Sequence, residues 1–198
     1  GNWMEPAVFA VVLPELELLK EEERFAKTRE TIDALPSGME NLPGRLAALL
    51  EPLGEAGTRK ALKRLRCSNV KIDETATLVK ESGLVPEPEN LCLQAKRLLG
   101  RLSPEMLHRL ILLCKANQPE QAKAFEALWK EAEQLTAEHA CCRIADLAVN
   151  GRDLIAMGVQ PGRGLKRILD ALLEAVVTEQ LPNEKETLLD AAKRFSAS

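Results

Sequence analysis

Apolar residues return every three or four positions along almost the whole chain, and Pro, Gly and Ser-Asn interrupt them at intervals. That spacing predicts helices throughout. A first helix is expected near residues 4–11, halted by Pro14, then a short one through Leu16 and Leu19. The stretch 21–35 follows and closes at Pro36-Ser37-Gly38. Leu46, Leu49 and Leu50 mark the next stripe, which ends by Pro52-Leu53-Gly54. A helix over 58–66 should turn Ala61, Leu62 and Leu65 inward. Ser68 or Asn69 should cap the one carrying Ile72, Ala76 and Val79, which stops at Gly83. Pro86-Glu87-Pro88 reads as a stiff connector, and 91–99 with 104–114 as an antiparallel pair. The longest helix is expected over 119–142, with Ala122, Phe125, Leu128, Trp129 and Leu135 facing inward. An extended entry and turn over 146–154 then leads to helices over 163–178 and 183–195. No repeat of fixed period is present, which disfavours a solenoid.

The expected fold is therefore all-α. An elongated multi-helix body should occupy residues 1–142, ending in the long helix, and a smaller tail with a helix-turn-helix residues 143–198. Composition supports this, since aromatics are 3% and Tyr is absent while the abundant Leu, Ala, Glu, Lys and Arg suit helices. A formal charge of −3 does not suggest a nucleic-acid binder acting with its whole surface. A local basic strip can still hold phosphate on an acidic protein. Five cysteines in no paired framework point to reduced thiols in a cytoplasmic protein. No apolar run approaches the roughly 20 residues of a membrane span, and no signal-peptide pattern is found. The chain opens on Gly1 with no initiator Met, and Gly1 with Asn2 reads as a cloning remnant on an excised fragment.

The most informative stretch is 150–165. A short helix should end at Gly158 in a left-handed cap. Pro161-Gly162-Arg163-Gly164 then opens a helix whose apolar face is Leu165, Ile168, Leu169, Leu172, Leu173 and Val176. The first turn of a helix offers N–H groups with no internal acceptor, and a phosphate oxygen suits them. Arg163, Lys166 and Arg167 add charge beside Gly162, so this start is a candidate RNA contact. The plainer reading is a tight turn between packed helices.

A second basic run holds Arg59, Lys60, Lys63, Arg64, Arg66 and Lys71 with no acid among them. On one helix, Arg59, Lys63 and Arg66 would share a face able to track phosphates; the alternative is an ordinary solvated face. Lys96, Arg97, Arg101 and Arg109 form a weaker cluster. Aromatic residues are not interleaved with these cations, so any RNA contact should read duplex shape and phosphate rather than stacked bases. His139, Cys141 and Cys142 lack zinc-ligand spacing, and two vicinal cysteines cannot both face inward from one helix. Two histidines without a surrounding motif support no triad. Neither a catalytic centre nor a metal site is expected.

Across 149–189 the order Asn150-Gly151-x-Asp153-Leu154, Gly158-Val159, Pro161-Gly162, Ile168-Leu169, Leu172-Leu173 and Leu181-Pro182-Asn183-Glu184-Lys185 resembles the tail of bacterial tRNA nucleotidyltransferases. Leu13-Pro14-Glu15-Leu16, Arg45 to Leu50 and Leu62 to Asn69 are similar to that family's helical body. The resemblance extends to a close relative of the poly(A) polymerase type as the alternative parent. The chain departs in two places. Lys166 follows Leu165 where the family usually has Gly. Glu51-Pro52-Leu53-Gly54 stands where many members carry a His-Asp pair, so metal-dependent hydrolysis is not expected there.

The resemblance implies a parent that adds nucleotides to tRNA 3′ ends, using Mg and ATP or CTP. It also implies a catalytic head in the same parent chain, with no cofactor on the present residues. The partner it implies is tRNA, held by Gly162, Arg163, Lys166, Arg167, Arg59, Lys63 and Arg66. A helical protein-interaction scaffold without an RNA role is the competing expectation.

Overall fold

The computed structural model describes residues 22–196. The expected helices near 4–11 and through Leu16 and Leu19 lie outside them. Ten helices are described: α1 (Glu22–Ala34), α2 (Leu42–Leu50), α3 (Gly54–Arg64), α4 (Asn69–Glu81) and α5 (Leu91–Arg101) come first. Then follow α6 (Pro104–Asn117), α7 (Ala122–Ala137), α8 (Gly151–Ala156), α9 (Arg163–Val177) and α10 (Lys185–Ser196). Short 3-10 turns at Met39–Asn41, Glu51–Leu53, Pro119–Gln121 and Ile144–Asp146 join some of them. No strand occurs among the described residues, and the fold is all-α.

Two compact units emerge. Among the described residues, one contains 22–86 and 105–126, the other 87–104 and 127–196. Residues 142 and 143, where the sequence suggested a division, both lie within the second unit. Helix α5 belongs to the second unit, whereas α6 from Glu105 on belongs to the first.

The first unit packs α2, α3 and α4 around Leu50, Ala61, Leu62 and Ile72, with Phe25, Leu46, Leu49, Leu53 and Cys67 against them. Burying a Leu of this kind contributes about 2 kcal/mol. Thr58 stays satisfied inside by donating its hydroxyl to the Leu50 carbonyl at 3.4 Å. Ser68 caps α4 by accepting from the Lys71 N–H at 3.4 Å, as expected. Cys114 is fully buried on α6, and burial pushes its thiol up to about 12.

Leu65 does not face inward as expected; it is 42% exposed. The reason is the end of α3. The Arg66 N–H donates to the Lys63 carbonyl and the Cys67 N–H to Leu62, each at 3.0 Å, with Arg66 at φ 55°. This pair of bonds closes the helix through a left-handed residue and swings the chain off the helical path.

The same device shortens the long helix. His139 at φ 52° donates to Thr136, and Ala140 donates to Leu135, so α7 ends at Ala137 rather than near residue 142. Cys141 and Cys142 therefore lie beyond the helix, and the expected helix over 119–142 is corrected to one that ends at Ala137. No glycine marks either stop.

The second unit has its own core of Leu147, Val149, Leu154, Ile168, Leu172 and Leu188, closed by Ala191 and Ala192. Leu165, Leu169, Leu173 and Val176 pack half-buried against it, which is the apolar face of α9 read from the sequence.

Candidate nucleic-acid interface

Most of the string that carries the family resemblance builds the second unit. Asn150 caps α8 by accepting from the Arg152 and Asp153 N–H groups, and Asp153 accepts from the Asn150 N–H at 3.0 Å. Lys185 reaches Asp153 at 2.8 Å. That hydrogen bond and the Asn150 N–H hold the Asp153 carboxyl below the usual aspartate range. The Asn183 side chain accepts from the Ala148 N–H at 2.8 Å and donates to the Asp146 carbonyl at 2.9 Å, tying the entry to α10 to the backbone just before α8. Helix α10 begins at Lys185, two residues later than expected.

Arg143, unremarked in the sequence, donates to the Leu99 and Leu102 carbonyls at 2.9 Å each. It satisfies carbonyls left open at the end of α5. Gly100 lies close by. A Cβ there would stand 2.8 Å from the Cys142 carbonyl oxygen.

The start of α9 is different in kind. Gly162 is its N-cap at φ 131°, ψ −153°, a backbone region that essentially only glycine occupies. Gly162, Arg163, Gly164, Lys166 and Arg167 are all exposed. A Cβ on Gly162 or Gly164 would meet no atom within 4 Å. Among the described residues no carboxylate pairs with Arg163, Lys166 or Arg167. Three cations and the N–H groups of a 15-residue helix therefore face solvent together.

The basic run in the first unit is not one face. Arg59 is half-buried and engaged by Asp73 and by Glu55, the latter at 3.3 Å. The hydrogen bond to Asp73 outweighs desolvation, and with Glu55 it raises the Arg59 pKa above its ordinary value. Lys63 is exposed in the last turn of α3, while Arg66 has left the helix for the left-handed turn. The expectation that the three share a helix face is corrected by that turn.

The cluster at Lys96 is architectural. Lys96 is only 9% exposed and donates to the Val177 carbonyl at 3.3 Å and to Glu179 at 2.9 Å. Burial pulls its pKa down, but the Glu179 hydrogen bond prevails and leaves it raised. Arg97 pairs with Glu174 at 2.9 Å and Arg109 with Glu74 at 3.2 Å.

Beside Arg167 the structure opens a groove of about 600 Å3. Its walls include Val159, Ile168, Ala171 and Phe195. Phe195 is 28 positions from Arg167, so no local pattern could have placed the two together. Among the described residues no three His, Cys, Asp or Glu side chains are arranged to hold a metal ion. Among the described residues the magnesium implied by the family resemblance finds no fitting ligand set. No described helix is long and apolar enough to cross a membrane.

Fold and surface together define an all-helical protein that presents its cations at a helix start. The sequence from 45 to 192 matches the family model described as tRNA nucleotidyltransferase domain 2, and the chain belongs to that family. A CCA-adding enzyme of Lactiplantibacillus plantarum is 32% identical over 157 residues, covering 77% of this chain and 36% of that enzyme. One from Geobacillus thermodenitrificans is 29% identical over 145 residues, covering 73% and 34%. A CC-adding tRNA nucleotidyltransferase of Shouchella clausii is 47% identical over 45 residues, 23% of this chain and 12% of that enzyme. The chain spans about a third of the length of the first and second of these relatives. No solved structure matches it.

Proposed function

We propose that this chain is the tRNA-holding part of a tRNA nucleotidyltransferase. The observation that carries the reading is the start of α9, where Gly162, Arg163, Lys166 and Arg167 are exposed together inside the family-matched stretch. Phosphate oxygens suit such a helix end, and side-chain charge strengthens the attraction. In this reading the chain supplies position and does no chemistry. Joining of nucleotides to the tRNA 3′ end, with Mg and CTP or ATP, falls to a catalytic head elsewhere in the parent, working in the cytoplasm. Lys63 and Arg66 offer a second, weaker phosphate contact, while Arg59 contributes little because two carboxylates already claim it.

The test is tRNA binding by the 198-residue chain across a salt series. Affinity should fall steeply with salt, as counterion release requires. Changing Arg163, Lys166 and Arg167 together to Glu should flatten the slope by about two to three, roughly one per phosphate contact. An unchanged slope and affinity in that variant would refute the reading. The scaffold alternative draws on Leu65 and Val70, exposed at 42% and 67% beside the α3–α4 turn. It requires a protein partner and no salt-sensitive affinity for tRNA.

A further inference from the structure

We infer that the groove beside Arg167 is a slot for a single unstacked RNA base, whose phosphate lies on the cations at the start of α9. The inference rests on the tRNA-holding reading and deepens it. Sequence alone pointed to duplex shape and phosphate, because no aromatic residue is interleaved with the cations. Folding changes that picture. Phe195, from the last turn of α10, lines the same groove as Arg167, Val159 and Ile168, and 43% of its surface is exposed.

Among the described residues the lining holds apolar side chains, one amide in Gln160, one guanidinium in Arg167, and no carboxylate. Arg163 and Lys166 are exposed beside it on α9, and Lys193 and Arg194 occupy the last turn of α10. The occupant this surface fits has a flat apolar body, a polar edge and a negative charge at one end. A nucleotide unit within a strand has all three. A base gains by stacking on an aromatic ring, and its edge can pair with an amide. The volume, about 600 Å3, accommodates one base together with its sugar. A regular duplex offers no free base, so the slot would select loops, bulges or ends.

The experiment compares an RNA hairpin bearing an unpaired loop with a blunt duplex of equal length, at low salt, on the 198-residue chain. Wild type should prefer the hairpin. Phe195→Ala should lose about tenfold in hairpin affinity, within the range for one base stacked on an aromatic ring, and leave duplex affinity unchanged. Phe195→Trp should retain the preference. Ala171→Leu, which fills the groove from the α9 wall, should mimic Phe195→Ala. A 2-aminopurine in the loop should be quenched on binding to wild type and not to Phe195→Ala.

If Phe195→Ala weakens hairpin and duplex equally, or neither, the slot is overturned. Were the triple Glu variant still to abolish binding in that case, phosphate holding would stand alone. Should an acidic aromatic peptide bind the groove while hairpin and duplex are held alike, the slot belongs to a protein segment and the base is overturned. Loss of neither RNA in any variant would remove both readings together.

Discussion

The end of α3 and the start of α9 look alike as sequence, since each sets several cations next to a point where the chain must turn. In structure they diverge. At α9 the left-handed position is taken by Gly162, which has no Cβ, Arg163, Lys166 and Arg167 lie on the helix, and among the described residues no carboxylate pairs with them. At α3 the left-handed residue is Arg66 itself, and Arg59, two turns earlier, is held by Asp73 and Glu55. Of the six cations around the end of α3, carboxylates hold Arg59, while Lys60, Lys63 and Arg66 are exposed but do not form one helix face, because Arg66 has left the helix. A run of cations becomes a binding surface only where neighbouring elements leave it without carboxylates.

The greatest effect should come from reversing Arg163, Lys166 and Arg167 together. At about 50 mM salt, losing two or three phosphate contacts should cost 100-fold or more in tRNA affinity, on the order expected for counterion release. The same reversal at Lys63 and Arg66 should cost far less, and equal losses would erase the contrast.

Gly162→Ala should follow. Its backbone conformation is closed to residues with a Cβ, at a cost of roughly 1–3 kcal/mol. Thermal melting should therefore drop by about 2 °C or more for a domain of this size. Nearby space is open, so the penalty comes from φ alone. Arg66→Gly runs the other way. Relief of the left-handed strain should stabilise by about 1 kcal/mol, partly offset by the freer unfolded chain. Its effect on tRNA affinity should stay small.

Acid should act on the second unit through Asp153. The Lys185 hydrogen bond, then the Asn150 N–H, hold its pKa below the unfolded value. The stability it lends is complete above the ordinary aspartate range and is lost as pH falls through the depressed value. A melting series from neutral to acid pH should be flatter in Asp153→Asn than in wild type. Least of all, Asp73→Asn should free the Arg59 guanidinium and raise low-salt RNA affinity slightly. A loss there would mean that the ion pair positions Arg59 rather than occupying it.

Leu50, Ala61, Ile72, Phe125 and Leu172 were all readable as core, because a period near 3.6 marks a buried face wherever helices pack. Helix ends were less legible. Stops at Arg66, His139 and Glu179 use non-glycine residues in left-handed geometry, each fixed by carbonyls three and five positions back. Punctuation by Gly and Pro therefore overran α7 by five residues. The cations at α9 were identifiable from composition and place, but whether a carboxylate faced them was not.

Side-chain period, cap residues and the glycine demanded by φ at Gly162 are local quantities, and the sequence alone determined them: an all-helical chain with a charged helix start. Pairing of Arg59 with Asp73, burial of Lys96 against the end of α9, and the meeting of Phe195 with Arg167 join residues 14 to 83 positions apart. Tertiary structure decided those, since charge and apolar surface act through space, and only the folded chain fixes which groups are neighbours.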